Sequence, residues 1–265
     1  MLHGNRGNHS RFKIDKLLTG NTRKNQQWDF MENIIDKIRI ELRENIDEKT
    51  QMTSQNFFKE KIKFYGVTVP KVNDISKEYF KLIEVKTKYE IFELCESLWE
   101  SGYIEESFIA CHWSYYIHER YEPEDFRIFE RWLNEYVNNW ASCDTLCNHT
   151  IGEFIVMYPE YLSRLKVLAK SENRWLRRAS SVTLIIPARK GKFLEEILEI
   201  ADILLLDKDD LVQKGYGWML KAASEANQRE IFEYVMKNKS IMPRTSLRYA
   251  IEKMPKDLKS KAMEK

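Results

Sequence analysis

The sequence predicts an all-α protein built as an α-solenoid, and three observations carry that reading. Apolar residues recur at helical spacing in about a dozen separate stretches after residue 28, each of ordinary helix length and joined by short connections. Strand-like alternation is essentially missing, and the short apolar run Val182 to Ile186 continues a helix better than it starts a sheet. Finally, Trp99, Trp140, Trp175 and Trp218 follow one another at 41, 35 and 43 residues, close to the period of stacked helix pairs, roughly 40 residues. Such stacking gives a concave surface lined by one helix from each pair, a shape suited to a long cylindrical partner.

Taken in order, residues 1–26 are rich in Gly, Asn, Arg and Lys without an amphipathic period, and a disordered basic arm or tail is expected there. From Trp28 onward Ile34, Ile35, Ile38, Leu42 and Ile46 mark the first helix. Thr53 or Ser54 then caps an expected helix that carries Phe57, Phe58, Ile62 and Phe64 and ends at Gly66. Pro70 breaks the chain before a helix with Ile75, Tyr79, Phe80 and Ile83. Further helices are expected at about 89–101, 104–119 and 124–139, and then, beyond Trp140, at about 159–171, 174–186, 192–206, 209–226, 229–238 and 244–253. A repeat domain over 27–258 and a flexible tail over 259–265 complete the expected organisation.

With 265 residues and 43% hydrophobic content, the chain can bury a continuous core. It has no apolar run of about 18 residues and no secretory h-region, so a cytoplasmic protein without a membrane segment is expected. Cys95, Cys111, Cys143 and Cys147 sit in helical apolar segments without disulfide-framework spacing and are expected to be buried thiols. The net charge of +2 is nearly neutral, but residues 162–192 concentrate Arg164, Lys166, Lys170, Arg174, Arg177, Arg178, Arg189, Lys190 and Lys192. Such a patch suits an anionic polymer, and an ordinary solvated helix face is the plain alternative.

The chemistry concentrates in NNWASCDTLCNHTIG, residues 138–152, where Trp140 and Asp144 are four positions apart and share one helix face. Taken alone, an Asp near a helix start is more often a cap or a surface charge. Cys143, Cys147 and His149 invite a metal reading, but positions 143 and 149 point to different helix faces and no second pair follows, so neither metal nor cofactor is expected. His112 and His118 read as packed or surface histidines, and Trp175 as core. Trp218 falls in line with Lys214 and Lys221, which places an aromatic between two cations on one helix stripe. Phosphate-loop, dinucleotide, zincin and nucleophile-elbow motifs are absent, so those enzyme classes lack support.

Four segments together resemble the DNA alkylation repair family, the AlkD-type glycosylases built from HEAT-like repeats. They are FFKEKIKFYGVTVPKV, NNWASCDTLCNHTIG, NRWLRRASSV and the late stretch from LVQKGYGWMLKAASEANQ to YAIEKMP, and the likeness spans roughly residues 28–255. The resemblance implies a DNA glycosylase that removes cationic N3- or N7-alkylated purines from duplex DNA without base flipping and leaves an abasic site. It implies Asp144 as the catalytic carboxylate, Trp140 and Trp218 as the aromatics flanking the lesion's deoxyribose, and Arg178 at a backbone phosphate, with Arg177 one residue away as the alternative. Arg174, Lys214 and Lys221 join them as expected DNA contacts. The expected partner is double-stranded DNA containing alkylated purines, bound by a monomer. Residues 141–143 read Ala-Ser-Cys where many relatives carry aromatic or acidic residues, which keeps a noncatalytic binder of damaged, bent or branched DNA as the alternative.

Overall fold

The computed structural model describes residues 21–84 and 87–264, with side chains from residue 33. Sixteen α-helices follow one another. The first eight are α1 (Asn21–Glu44), α2 (Glu48–Thr53), α3 (Val69–Leu82), α4 (Lys88–Glu100), α5 (Ile104–Tyr116), α6 (Phe126–Glu135), α7 (Trp140–Thr145) and α8 (Gly152–Met157). The rest are α9 (Leu162–Leu168), α10 (Arg174–Val182), α11 (Ile185–Arg189), α12 (Leu194–Leu204), α13 (Asp210–Ala223), α14 (Gln228–Asn238), α15 (Arg244–Ala250) and α16 (Lys256–Met263). Among the described residues there is no strand, only an isolated bridge between Lys63 and Tyr103, and no helix is long and apolar enough to cross a membrane.

The helices form the expected α-solenoid. In its inner layer α3, α5, α7, α10, α13 and α15 pack each on the next, while α4, α9, α12 and α14 back them from outside. Small side chains let the inner helices approach closely: Ser107 Oγ lies 2.7 Å from Ser142 Oγ, and Ser114 Oγ 2.9 Å from Thr150 Oγ1. A continuous apolar core fills the space between the layers, with Trp113, Phe129, Trp132 and Tyr216 fully buried. The Trp113 indole N–H donates to Ser76 O at 2.9 Å, which satisfies its polar edge within the core. Trp175 is a core residue, as expected, Trp99 is buried as well, and all four cysteines are buried free thiols.

Three local differences bear on the site. The stretch expected as one helix over Thr53–Gly66 instead ends in a 3₁₀ turn, Ser54–Phe57, and continues without regular structure to residue 68. The reason lies outside the segment: the buried carboxylate of Glu105 accepts the backbone N–H groups of Tyr65, Gly66 and Val67 at 2.8–3.2 Å, which holds them out of any helix. Gly66 makes that turn possible with φ +96°, a left-handed conformation that side chains disfavour. The second difference is a π-helical segment, Leu146–Ile151, directly after Asp144 where a plain helix was expected; such wide turns are frequent at functional sites. Third, helix α16 occupies most of the stretch expected as a C-terminal tail, because Ala262 packs into the core. The arm expected over 1–26 lies, for residues 1–20, outside the described residues, and α1 begins at Asn21.

Helix α13 is pressed against α15 at Gly217. A methyl group there would sit 2.8 Å from Tyr249 Cβ and 2.9 Å from Ser246 O. Gly217→Ala gains up to about 1 kcal/mol of helix propensity, but the overpacking costs about 1–3 kcal/mol. Urea denaturation should therefore show a net loss of stability of about 1–2 kcal/mol. A variant as stable as the parent would mean that α15 can shift aside.

Candidate active site

Asn139 opens the site. Its backbone is extended (φ −149°, ψ 158°), and its side-chain oxygen accepts Ser142 N–H at 2.9 Å, so it caps α7 and sets the direction of the first turn. From that turn Trp140 faces the partly exposed side and Asp144, one turn on, points into the seam between α7 and α10. Asp144 is only 8% exposed. Both of its carboxylate oxygens are taken by one partner: Arg178 donates from Nε to Oδ1 at 2.8 Å and from Nη2 to Oδ2 at 2.7 Å.

Arg178 is buried too, and its remaining Nη1 donates to the carbonyl of Leu211 in α13. One guanidinium thus ties together the helices that carry Asp144, Arg178 and Trp218. Gly215, on α13, supplies the room: a methyl group there would meet Ser181 Oγ at 3.1 Å and Arg178 Cγ at 3.4 Å. Burial pushes the Asp144 carboxyl above the usual carboxylate range, and the hydrogen bonds and charge of Arg178 pull it back part of the way. A carboxyl group accepting on both oxygens has no proton to place there, so the pair is ionic. Burial lowers the affinity of Arg178 for its proton, but the hydrogen bonds and charge of Asp144 outweigh it, and the guanidinium remains a fixed cation.

Arg178, expected at a phosphate, lies buried in this seam, with Nε, Nη1 and Nη2 each donating to a protein group. The other expected contacts lie nearer solvent, each on a carboxylate. Arg174 bridges Glu60 (3.0 Å) and Asp209 (2.9 Å), and its guanidinium stacks over Trp175. Arg177 binds Asp207 at 2.6 Å and the carbonyls of Ser171 and Glu172 at 2.9 Å. Lys214 pairs with Asp210 at 3.3 Å, and Lys221 with Glu252 at 3.0 Å. Trp218 is half-buried between the two lysine positions and packs against the core.

Sequence reasoning missed what covers Trp140. The Phe58 ring stacks on the indole at 5.4 Å between centroids and 21° between planes, while the indole N–H donates to Phe57 O at 3.2 Å. Neither contact leaves a local signal, because 82 or more positions separate the partners. The Asp144–Arg178 pair instead follows the repeat seen in the structure, where bonds between successive inner helices join residues 33 to 36 positions apart, as in Ser114–Thr150, Asp144–Arg178 and Arg178–Leu211. Among the described residues no group of three or more His, Cys, Asp or Glu side chains could hold a metal ion.

Fold and site define a helical-repeat protein with a buried carboxylate–guanidinium pair beside a tryptophan on its inner layer. The chain belongs to the DNA alkylation repair enzyme family, whose pattern it matches over residues 38–254. Its fold is shared with a solved structure described as a predicted DNA alkylation repair enzyme from Enterococcus faecalis: TM-score 0.71, 17% identity, covering 80% of this chain and 98% of that one. No curated protein matches the chain.

A buried ion pair is costly to break from one side only. Arg178→Met leaves Asp144 buried without its counter-ion and should lower the unfolding free energy by about 3–5 kcal/mol. Adding Asp144→Asn removes the stranded charge and should restore most of that loss in urea denaturation at neutral pH. A cost below about 1 kcal/mol for Arg178→Met would refute the pairing.

Proposed function

We propose that the protein is a DNA glycosylase that hydrolyses the N-glycosidic bond of cationic N3- or N7-alkylated purines in duplex DNA, without base flipping, and leaves an abasic site. The observation that carries this reading is Asp144, a carboxylate kept ionised in a dry seam by Arg178, one helical turn from Trp140, in a chain of this family.

An alkylated purine with a positive charge needs little help to leave. As the bond from C1′ to the base nitrogen breaks, its electron pair goes to the purine, which becomes neutral, and positive charge moves to the sugar. A preoriented carboxylate stabilises that oxocarbenium-like sugar and orients the water that attacks C1′. Asp144 fits this electrostatic role better than that of a general acid, because it holds no proton to give. The indoles of Trp140 and Trp218 would add cation–π stabilisation of about 0.5–2 kcal/mol each. Arg178 acts as a positioning residue: it fixes the carboxylate and keeps it charged.

The surface cations fit phosphate binding. Exposed ion pairs are worth only about 0–1 kcal/mol, so Lys214 can trade Asp210 for a DNA phosphate at little cost. A noncatalytic DNA binder remains the second reading, favoured by one observation: Arg178 already occupies both oxygens of Asp144.

Three outcomes are expected. Incubation with duplex containing N7-methylguanine should release the free base above the spontaneous rate, and Asp144→Asn should slow release by about 10²-fold or more. Tight binding to bent or branched DNA with no release would instead select the binder. Only ionised Asp144 works, so kcat/KM should rise with pH through its raised ionisation. Arg178→Gln should move that limb to higher pH, since the cation favouring the charged form is gone. Duplex affinity should fall by about 10²-fold between roughly 50 and 200 mM salt if about four phosphates are engaged, and Lys214→Ala should reduce the slope by about 1. An affinity indifferent to salt would exclude the groove.

A further inference from the structure

Four consecutive residues from the first third of the chain lie across the site. The Phe57 carbonyl accepts the Trp140 indole N–H at 3.2 Å, and the Phe58 ring stacks on that indole. Lys59 Nζ reaches Asp210, the first residue of α13, at 2.8 Å, and Glu60 Oε1 reaches Arg174, the first residue of α10, at 3.0 Å. A short segment thus touches the three inner helices that bear Trp140 with Asp144, Arg178, and Trp218.

The segment is also built to keep its shape. Gln55 spans its turn, donating to Glu60 O at 2.8 Å and accepting Ile62 N–H at 3.3 Å. Behind it, Lys63 O accepts Ile104 N–H at 2.9 Å, and the Glu105 carboxylate holds the next three backbone N–H groups. It is fixed at both ends, although residues 58–62 belong to no helix.

An indole has two faces, and a ring stacked on one of them excludes any other ring from it. We infer that Phe58 is a specificity-determining residue: it closes one face of Trp140, and the site accepts an alkyl group of methyl size while rejecting an aromatic arm that needs that face. Lys59 and Glu60 hold the wall in place through Asp210 and Arg174. The inference rests on the DNA-repair reading above and concerns adduct size.

The test compares two duplexes, one with N7-methylguanine and one with N7-benzylguanine. Each is assayed for base release and, as the 2′-fluoro nucleotide that resists cleavage, for binding by fluorescence anisotropy. The wild type should favour the methyl adduct by roughly tenfold or more, and Phe58→Ala should bring the ratio to within about threefold. Phe58→Tyr, which keeps the ring, should restore the preference. Lys59→Ala with Glu60→Ala, which frees the segment but keeps Phe58, should give an intermediate ratio and guards against a folding defect in Phe58→Ala. If the wild type releases neither base, the hydrolysis reading fails by itself and the wall is judged on binding alone. No binding, equal wild-type affinities, or a ratio unchanged by Phe58→Ala overturns the inference.

Discussion

The bidentate pair between Asp144 and Arg178 is the constraint around which the inner layer is arranged. Two opposite charges have been taken out of water, and the cost of doing so is recovered only when every donor and acceptor finds a partner in good geometry. The structure answers that demand with two parallel bonds to one carboxylate and a third to Leu211 O in the neighbouring helix, which engage three of the five guanidinium N–H groups. Around them the side chains shrink. Gly215 and Ser181 make room for the guanidinium, and hydroxyl contacts such as Ser107–Ser142 draw the adjoining helices together. The buried pair is thereby surrounded by small residues on four helices.

A second buried acid solves a different problem. Glu105 stands in the first turn of α5 and is 3% exposed, and among the described residues its carboxylate is held by three successive backbone N–H groups instead of a cation. Its neighbour Glu106 takes the Tyr65 hydroxyl at 2.6 Å and Arg39 at 3.1 Å. Together they bind the irregular chain of residues 63–67 to the solenoid and so fix the base of the segment that reaches Trp140.

Much of this was legible in the sequence, and the part that was not shares a cause. Most helix positions, the buried cysteines and the core role of Trp175 follow from periodicity, which is a local property. The facing of Arg178 is not local: three neighbouring arginines on α10 look alike by helical spacing, and only the carboxylate on α7 selects the one that turns inward. Nor could spacing show that residues 58–68 forgo a helix, since the groups that hold them come from α5. The offset of 33 to 36 residues that links Asp144 to Arg178 emerges only from the bonds between the inner helices, since the tryptophans recur at 41, 35 and 43 residues. The cover over Trp140 does not follow even that offset.

That cover also changes what kind of stack this is. In a solenoid each repeat contacts only its neighbours, so its ends can fray independently and its folding can propagate from any point. The ion pair between Lys59 and Asp210 joins residues 151 positions apart, and Glu60–Arg174 also links the first third of the chain to its middle. These contacts convert an open row into a closed circuit. Such contacts of high sequence separation form late, because the chain between them must be ordered first. The surroundings of Trp140 are therefore completed only when the first repeats and the middle of the row are both in place, and fraying at the amino-terminal end would reach the site directly instead of stopping at the next repeat.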